Sequence, residues 1–172
     1  TSGTTSSPKG VMIPYRSLWS NTKFANDELN FIYPGDNIVC MLPMAHTYGL
    51  AFEILNSISM GCHIHFLSRT PSPKIIKDTF AKVKPKLVLA VPLIIEKIVT
   101  RNVFTEIAKQ PVKTLIKIPI VNRAIRRKIR KKLINFFGGN LVEVVIGGAA
   151  INREVEKFLR FINFLAPVLL LL

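Results

Sequence analysis

A chain of 172 residues with 24 Lys and Arg against 10 Asp and Glu has a formal net charge of +14, and 49% of its residues are hydrophobic. That apolar fraction excludes global disorder, and the length allows one domain or a large piece of a bigger one. The charge points to an anionic partner, whether nucleotide phosphates, an acidic membrane surface or nucleic acid, while Cys40 and Cys62 alone cannot build a disulfide framework.

The chain opens on TSGTTSSPKGV, with hydroxyls at six of its first seven positions. Gly3 and Gly10 permit backbone conformations closed to other residues, so that amide N–H groups can converge on an anion. Hydroxyls of Thr1, Ser2, Thr4 and Thr5 add donors and Lys9 adds a positive charge, a set that suits a polyphosphate. The competing reading is a Ser/Thr linker. A Walker-type loop is excluded: no glycine directly precedes the lysine, and Val11-Met12-Ile13 before Pro14 reads as a short strand rather than a helix start.

Further along, Asn37 to Met44 (NIVCMLPM) follows the turn signal Tyr33-Pro34-Gly35-Asp36 and reads as a buried strand. Thr47 to Gly61 has helical spacing and a glycine stop. Cys62 to Leu67 (CHIHFL) reads as a strand. Ser72 to Lys84 is a helix with Ser72 as its cap, Pro73 in the first turn, and Ile75, Ile76, Phe80 and Val83 on one face. Pro85 to Pro92 (PKLVLAVP) is a second buried strand, and Leu93 to Thr100 a helix. A basic helix runs from about Asn122 to Phe136, Asn140 to Ala150 is a strand ending in glycines, and Asn152 caps a helix to Ile162. This alternation predicts an α/β fold, a mostly parallel sheet with helices on both faces. The final FINFLAPVLLLL is shorter than the ~20 apolar residues of a membrane span, and Asn163 and Pro167 interrupt it. Nothing resembles a signal peptide, so the expected setting is cytoplasmic, with membrane association open.

The opening resembles the phosphate loop of the adenylate-forming superfamily (acyl-CoA synthetases, luciferases and adenylation domains), whose pattern is T-S-G-T-T-G-x-P-K-G. Ser6 stands where that pattern has glycine. Three more stretches follow in the family's order: LPMAHTYGLAFE (Leu42 to Glu53), VPLIIEKI (Val91 to Ile98) and GGAAI (Gly147 to Ile151). Their flavour is similar to long-chain fatty acid–CoA ligases. The resemblance implies part of the large N-terminal domain of such an enzyme, with residues 1–172 a partial AMP-binding domain. It further implies that Thr1, Ser2, Gly3, Thr4, Thr5 and Lys9 hold the phosphates of ATP, with Thr1 meeting Mg²⁺. His46 would sit beside the fatty acid carboxylate and gate access to it. Gly147, Gly148, Ala149 and Ala150 would flank the adenosine and acyl pocket, leaving room for ligand atoms. Val91, Pro92 and Ile95 would border the acyl entrance, where some relatives carry an aromatic gate at the position of Ile95. The implied substrates are a fatty acid, ATP and coenzyme A, joined through an acyl-adenylate.

After Phe164 the family pattern has a Y-G-x-T-E segment, where this chain has LAPVLLLL. That segment, the ribose-binding aspartate, the hinge and the small C-terminal domain with its catalytic lysine are absent, so the chain is expected to be an inactive fragment on its own. Two rival readings stand beside the ligase: another adenylate-former acting on aryl or amino acids, and a non-enzymatic basic module binding lipid or nucleic acid. Cys62, His63 and His65 invite a zinc site, but no fourth ligand is evident and a satisfied strand pair is preferred. In NRAIRRKIRKKLINFF (Asn122 to Phe137), Ile125, Ile129, Leu133 and Phe136 make an apolar stripe. Its basic face is either solvated or in peripheral contact with an anionic membrane, and no base-reading motif accompanies it, so nucleic acid is not expected.

Overall fold

The computed structural model describes residues 10–104 and 119–164. The phosphate-loop residues Thr1 to Lys9 and the tail from position 165 lie outside them. Helix α1 (Tyr15–Glu28) comes first, then strand β1 (Asn37–Cys40). A π-helix (Gly49–Leu55) continues directly into α2 (Asn56–Ser59). Strand β2 (His63–Phe66), helix α3 (Pro73–Val83), strand β3 (Leu87–Ala90) and helix α4 (Pro92–Val99) follow. A π-helical turn (Thr100–Phe104) extends α4. The basic helix α5 (Pro119–Phe136), strand β4 (Glu143–Ile146) and helix α6 (Arg153–Phe161) complete the described chain.

The caps fall where the sequence puts them. The Ser72 hydroxyl accepts from the Ile75 N–H at 3.3 Å, and the Asn152 side chain accepts from Glu154 at 2.9 Å and Val155 at 3.3 Å. Each satisfies N–H groups that the first helical turn leaves unpaired. Gly61 ends the long helical stretch with φ of +67°, a conformation that costs glycine little.

Among the described residues all strand pairing is parallel, but the ladders form two pairs, β1 with β2 and β3 with β4, rather than one continuous sheet. Successive residues of β1, β3 and β4 nonetheless face two different cores in alternation, as in a single layer. Val39, Val88, Ala90, Val144 and Ile146 face a core completed by Ile76 and Phe80 of α3, Ile95 and Ile98 of α4, Leu133 and Phe137 at the end of α5, and Val155 and Leu159 of α6. Ile38, Leu87, Leu89 and Val145 face a second core with Ala25 of α1, Leu29, Ile32 and Tyr48. Strand β3 is buried along its whole length, the condition of a strand covered on both faces. The expected α/β class with helices on both faces is therefore present.

Two local expectations change. Val11, Met12 and Ile13 form no strand; they are exposed, and Pro14 follows them as the N-cap of α1. Helix α1 itself was not legible, because its buried residues are the small Thr22 and Ala25 while Tyr15 and Trp19 are 90% and 65% exposed. Hydrophobic spacing there does not mark the covered face. In CHIHFL the preferred strand reading is present: His63 and His65 lie on β2 paired with β1, and the exposed His65 ring is 2.8 Å from Asn37 Oδ1 on the neighbouring strand. Among the described residues, no helix is long and apolar enough to cross a membrane.

Candidate functional site

Parallel α/β sheets bind ligands beyond the carboxyl ends of their strands, where loops from successive strands meet. Here the loops leaving β1, β3 and β4 carry LPMAHTYGLAFE, VPLIIEKI and GGAAI respectively.

The loop after β1 is fixed from beneath by a buried carboxylate. Glu53 on the π-helix is 1% exposed; its Oε1 accepts the Met41 N–H at 3.2 Å and its Oε2 the Leu42 N–H at 2.9 Å. Burial pushes its pKa up to about 7, even though both backbone N–H groups favour the ionised form. Burial, reinforced by the neighbouring Glu53 charge, likewise pushes the Cys40 thiol up to about 12, so Cys40 is a core thiol and not a nucleophile. Beyond the pinned Leu42 the chain turns: the His46 N–H donates to the Pro43 carbonyl at 3.0 Å, and His46 Nδ1 accepts the Tyr48 N–H at 3.2 Å. With Nδ1 accepting, the neutral imidazole carries its proton on Nε2. The side chain is exposed on the turn.

Tyr48 joins this turn to β4. Its ring is buried and its Oη donates to the Val145 carbonyl at 3.3 Å. A Cβ on Gly147 would stand 2.9 Å from Tyr48 Cζ, a separation no unstrained contact shows. The missing side chain at Gly147 thus makes room for Tyr48, not for a ligand, which changes the physical reason expected for that glycine. The Gly147 N–H extends the ladder to the Ala90 carbonyl at 3.1 Å, so β3 and β4 end level. Just beyond, a Cβ on Gly148 would lie 3.9 Å from Val91 Cγ1. Glu96 of α4 closes the arrangement: its Oε1 accepts the Asn152 N–H at 2.7 Å, tying the helix of the V-P stretch to the end of the glycine loop.

Of the residues expected here, His46, Gly148, Ala149 and Ala150 are exposed and Val91 is half-buried. Pro92 is buried, and Ile95, at 1% exposure, belongs to the core between sheet and helices rather than to an open rim. Thr1, Ser2, Gly3, Thr4, Thr5 and Lys9 lie outside the described residues. Sequence reasoning missed Tyr48, Glu53 and Glu96, though all three sit inside the recognised stretches. Glu53 carried a signal: it is the one charge in the apolar run GLAFEIL, and a charge held inside a core requires partners.

A family model described as AMP-binding enzyme matches residues 1–169. Fatty acyl-CoA synthetase B of Dictyostelium discoideum is 30% identical over 94% of this chain and 26% of its own length. Long-chain-fatty-acid–CoA ligase 1 of Saccharomyces cerevisiae is 25% identical over 99% of the chain and 26% of its own length. The chain thus spans about a quarter of the length of the curated relatives it matches. Among solved structures, the inhibitor-bound N-terminal domain of FACL13 from Mycobacterium tuberculosis superposes with a TM-score of 0.65 over 95% of this chain and 33% of that one, at 18% identity. ATP-bound MatB from Rhodopseudomonas palustris gives 0.64 over 92% and 25%, at 20% identity; both likenesses concern the fold. With the motif order, the convergence of three loops at the strand ends and a family match along nearly its whole length, the chain belongs to the AMP-binding, adenylate-forming enzyme family.

Proposed function

We propose that this chain is part of the N-terminal domain of an ATP-dependent, AMP-forming long-chain fatty acid–CoA ligase. The observation that carries the reading is the alignment of proteins named as fatty acyl-CoA synthetase and long-chain fatty acid–CoA ligase along 94% and 99% of the chain. The three converging loops support it independently, because they bring His46, Val91 and the Gly147–Ala150 segment to one end of the sheet.

In this reading the fatty acid carboxylate attacks the α-phosphorus of ATP, pyrophosphate leaves, and the thiol of coenzyme A then displaces AMP from the acyl-adenylate. Thr1, Ser2, Gly3, Thr4, Thr5 and Lys9 hold the phosphates, where donors and a cation stabilise the charge that develops during attack. His46, with Nε2–H free to point outward, donates to the incoming carboxylate and orients it. The segment Gly147 to Ala150 borders the adenosine, and Val91 and Pro92 belong to the wall of the acyl path, with Ile95 packed in the core behind them. No group of three His, Cys, Asp or Glu side chains among the described residues would hold a metal. Thr1 is the Mg²⁺ contact that the family resemblance carries onto this chain, and the ion would supply charge neutralisation at the phosphates.

The test is pyrophosphate–ATP exchange by the whole protein that carries this sequence, across a panel of carboxylic acids. Exchange driven by long-chain fatty acids and not by aryl or amino acids is the expected result. Exchange with an aryl or amino acid and none with a fatty acid would replace the substrate assignment while leaving the family intact.

A further inference from the structure

The basic helix α5 plays no part in that chemistry. Its apolar side is spent on the core, with Leu133 and the following Phe137 each 1% exposed and Ile129, Ile134 and Phe136 packed beside them. The opposite side is fixed outward as a consequence. Seven Lys and Arg fall between Arg123 and Lys132, and no Asp or Glu occurs between Glu106 and Glu143. Arg123, Arg127, Lys128, Arg130 and Lys131 are exposed.

Four of these cations surround one concavity. A cleft of about 280 Å³ is lined by Arg123, Arg126, Arg127 and Arg130 of α5 and by Phe161, Ile162 and Asn163 at the end of α6. Arg126 is already oriented there, its guanidinium 4.9 Å from the Phe161 ring centroid and its Nη1 3.4 Å from the Phe161 carbonyl. Among the described residues no acidic side chain lines the cleft, and Glu156 on α6 is engaged by Arg160 at 3.0 Å. Such a like-charge group, with no counter-ion among the described residues, is suited to an external anion. Planar guanidiniums grip phosphate oxygens through paired hydrogen bonds. Phe161, 40% exposed beside them, offers an apolar edge.

We propose that this face docks on an anionic phospholipid surface, with a headgroup phosphate seated in the arginine cleft between α5 and α6. The choice of a membrane over another polyanion rests on the proposed fatty acid substrate, which partitions into bilayers, and on the apolar rim at Phe161. The contact is peripheral and electrostatic, so it weakens with salt.

The test uses the whole protein, without ATP, and cosedimentation with phosphatidylcholine vesicles containing or lacking phosphatidylglycerol. Binding measured this way is independent of acyl activation, so failure of docking and failure of the catalytic reading are separately visible. The wild type should bind the anionic vesicles only, and more weakly as salt rises. Replacing Arg123, Arg127 and Arg130 by serine should weaken binding about a hundredfold, roughly fivefold per charge at a membrane surface. All three are exposed, so the melting temperature should hold. Should the triple variant melt early, the Arg127→Ser single variant gives the same readout at roughly fivefold. No binding by the wild type, unchanged binding by the variants, or tighter binding to duplex DNA than to anionic vesicles at equal salt would each overturn the proposal.

Discussion

Glu53 is a carboxylate placed where water cannot reach it, and its two oxygens hold the chain that leads from β1 to His46. Its folded pKa of about 7 lies above the ordinary 4.5, so the folded state holds the proton more tightly than the unfolded state. The stabilisation this gives is complete below about pH 4.5 and is lost as pH rises through about 7, a swing on the order of 3 kcal/mol. Glu53→Gln cannot titrate, and its amide leaves one of the Met41 and Leu42 N–H groups unpaired at a cost of about 1–3 kcal/mol. The stability advantage of wild type over this variant should therefore shrink across that pH window in denaturant titrations. An advantage independent of pH would show that Glu53 does not titrate there. At Gly147 the determinant is space. Gly147→Ala drives a methyl into the Tyr48 ring and should destabilise by about 1–3 kcal/mol. Adding Tyr48→Ala should recover part of that loss, giving a coupling of roughly 1 kcal/mol or more, whereas strictly additive effects would mean that the two do not touch.

Among elements, the site depends on how α4 is held against the loop that precedes α6. The Glu96 carboxylate provides this hold at the Asn152 N–H, and Asn152 also caps α6, so one residue links the V-P helix, the glycine loop and the last described helix. Glu96→Ala should raise the fatty acid KM roughly tenfold with kcat little changed, the effect of losing one hydrogen bond to a charged acceptor. Glu96→Gln keeps an acceptor and should restore most of the affinity. Equal effects of the two variants, or a loss confined to melting temperature, would reduce Glu96 to a structural role. Elements with strong local signals were legible in the sequence: the Ser72 and Asn152 caps, the continuous apolar run of β3, and the stripe of α5. Those decided by distant packing were not. Helix α1 buries small residues and leaves Trp19 in solvent. The stretch from Gly49 reads as ordinary helix yet winds as a π-helix, a register that no hydrophobic period encodes. The side-chain partners of Tyr48, Glu53 and Glu96 likewise arise only when separate strands end side by side.

For the whole molecule, the motif order was legible because each stretch is local, and it was enough to anticipate the fold class; that the loops meet at one end of the strands emerges only from the structure. The division of the ladders into two pairs was not, since strand pairing is a long-range outcome. A polypeptide of these 172 residues covers about a quarter of the relatives' length, and transition-state stabilisation by groups that act together fails steeply when some are missing. Purified alone, it is expected to release no fatty-acid-dependent pyrophosphate beside a full-length relative. Release that disappears in Lys9→Ala would show that this portion suffices. The central claim is that the loops after β1, β3 and β4 and the opening TSGTTSSPKG activate a long-chain carboxylate as its adenylate. Its most direct test is mass spectrometry of the whole protein mixed with ATP, Mg²⁺ and a long-chain fatty acid in the absence of coenzyme A. The predicted result is a fatty acyl-adenylate that Lys9→Ala reduces by about 10²–10³; a folded, ATP-binding protein that yields no adenylate from any fatty acid would contradict it.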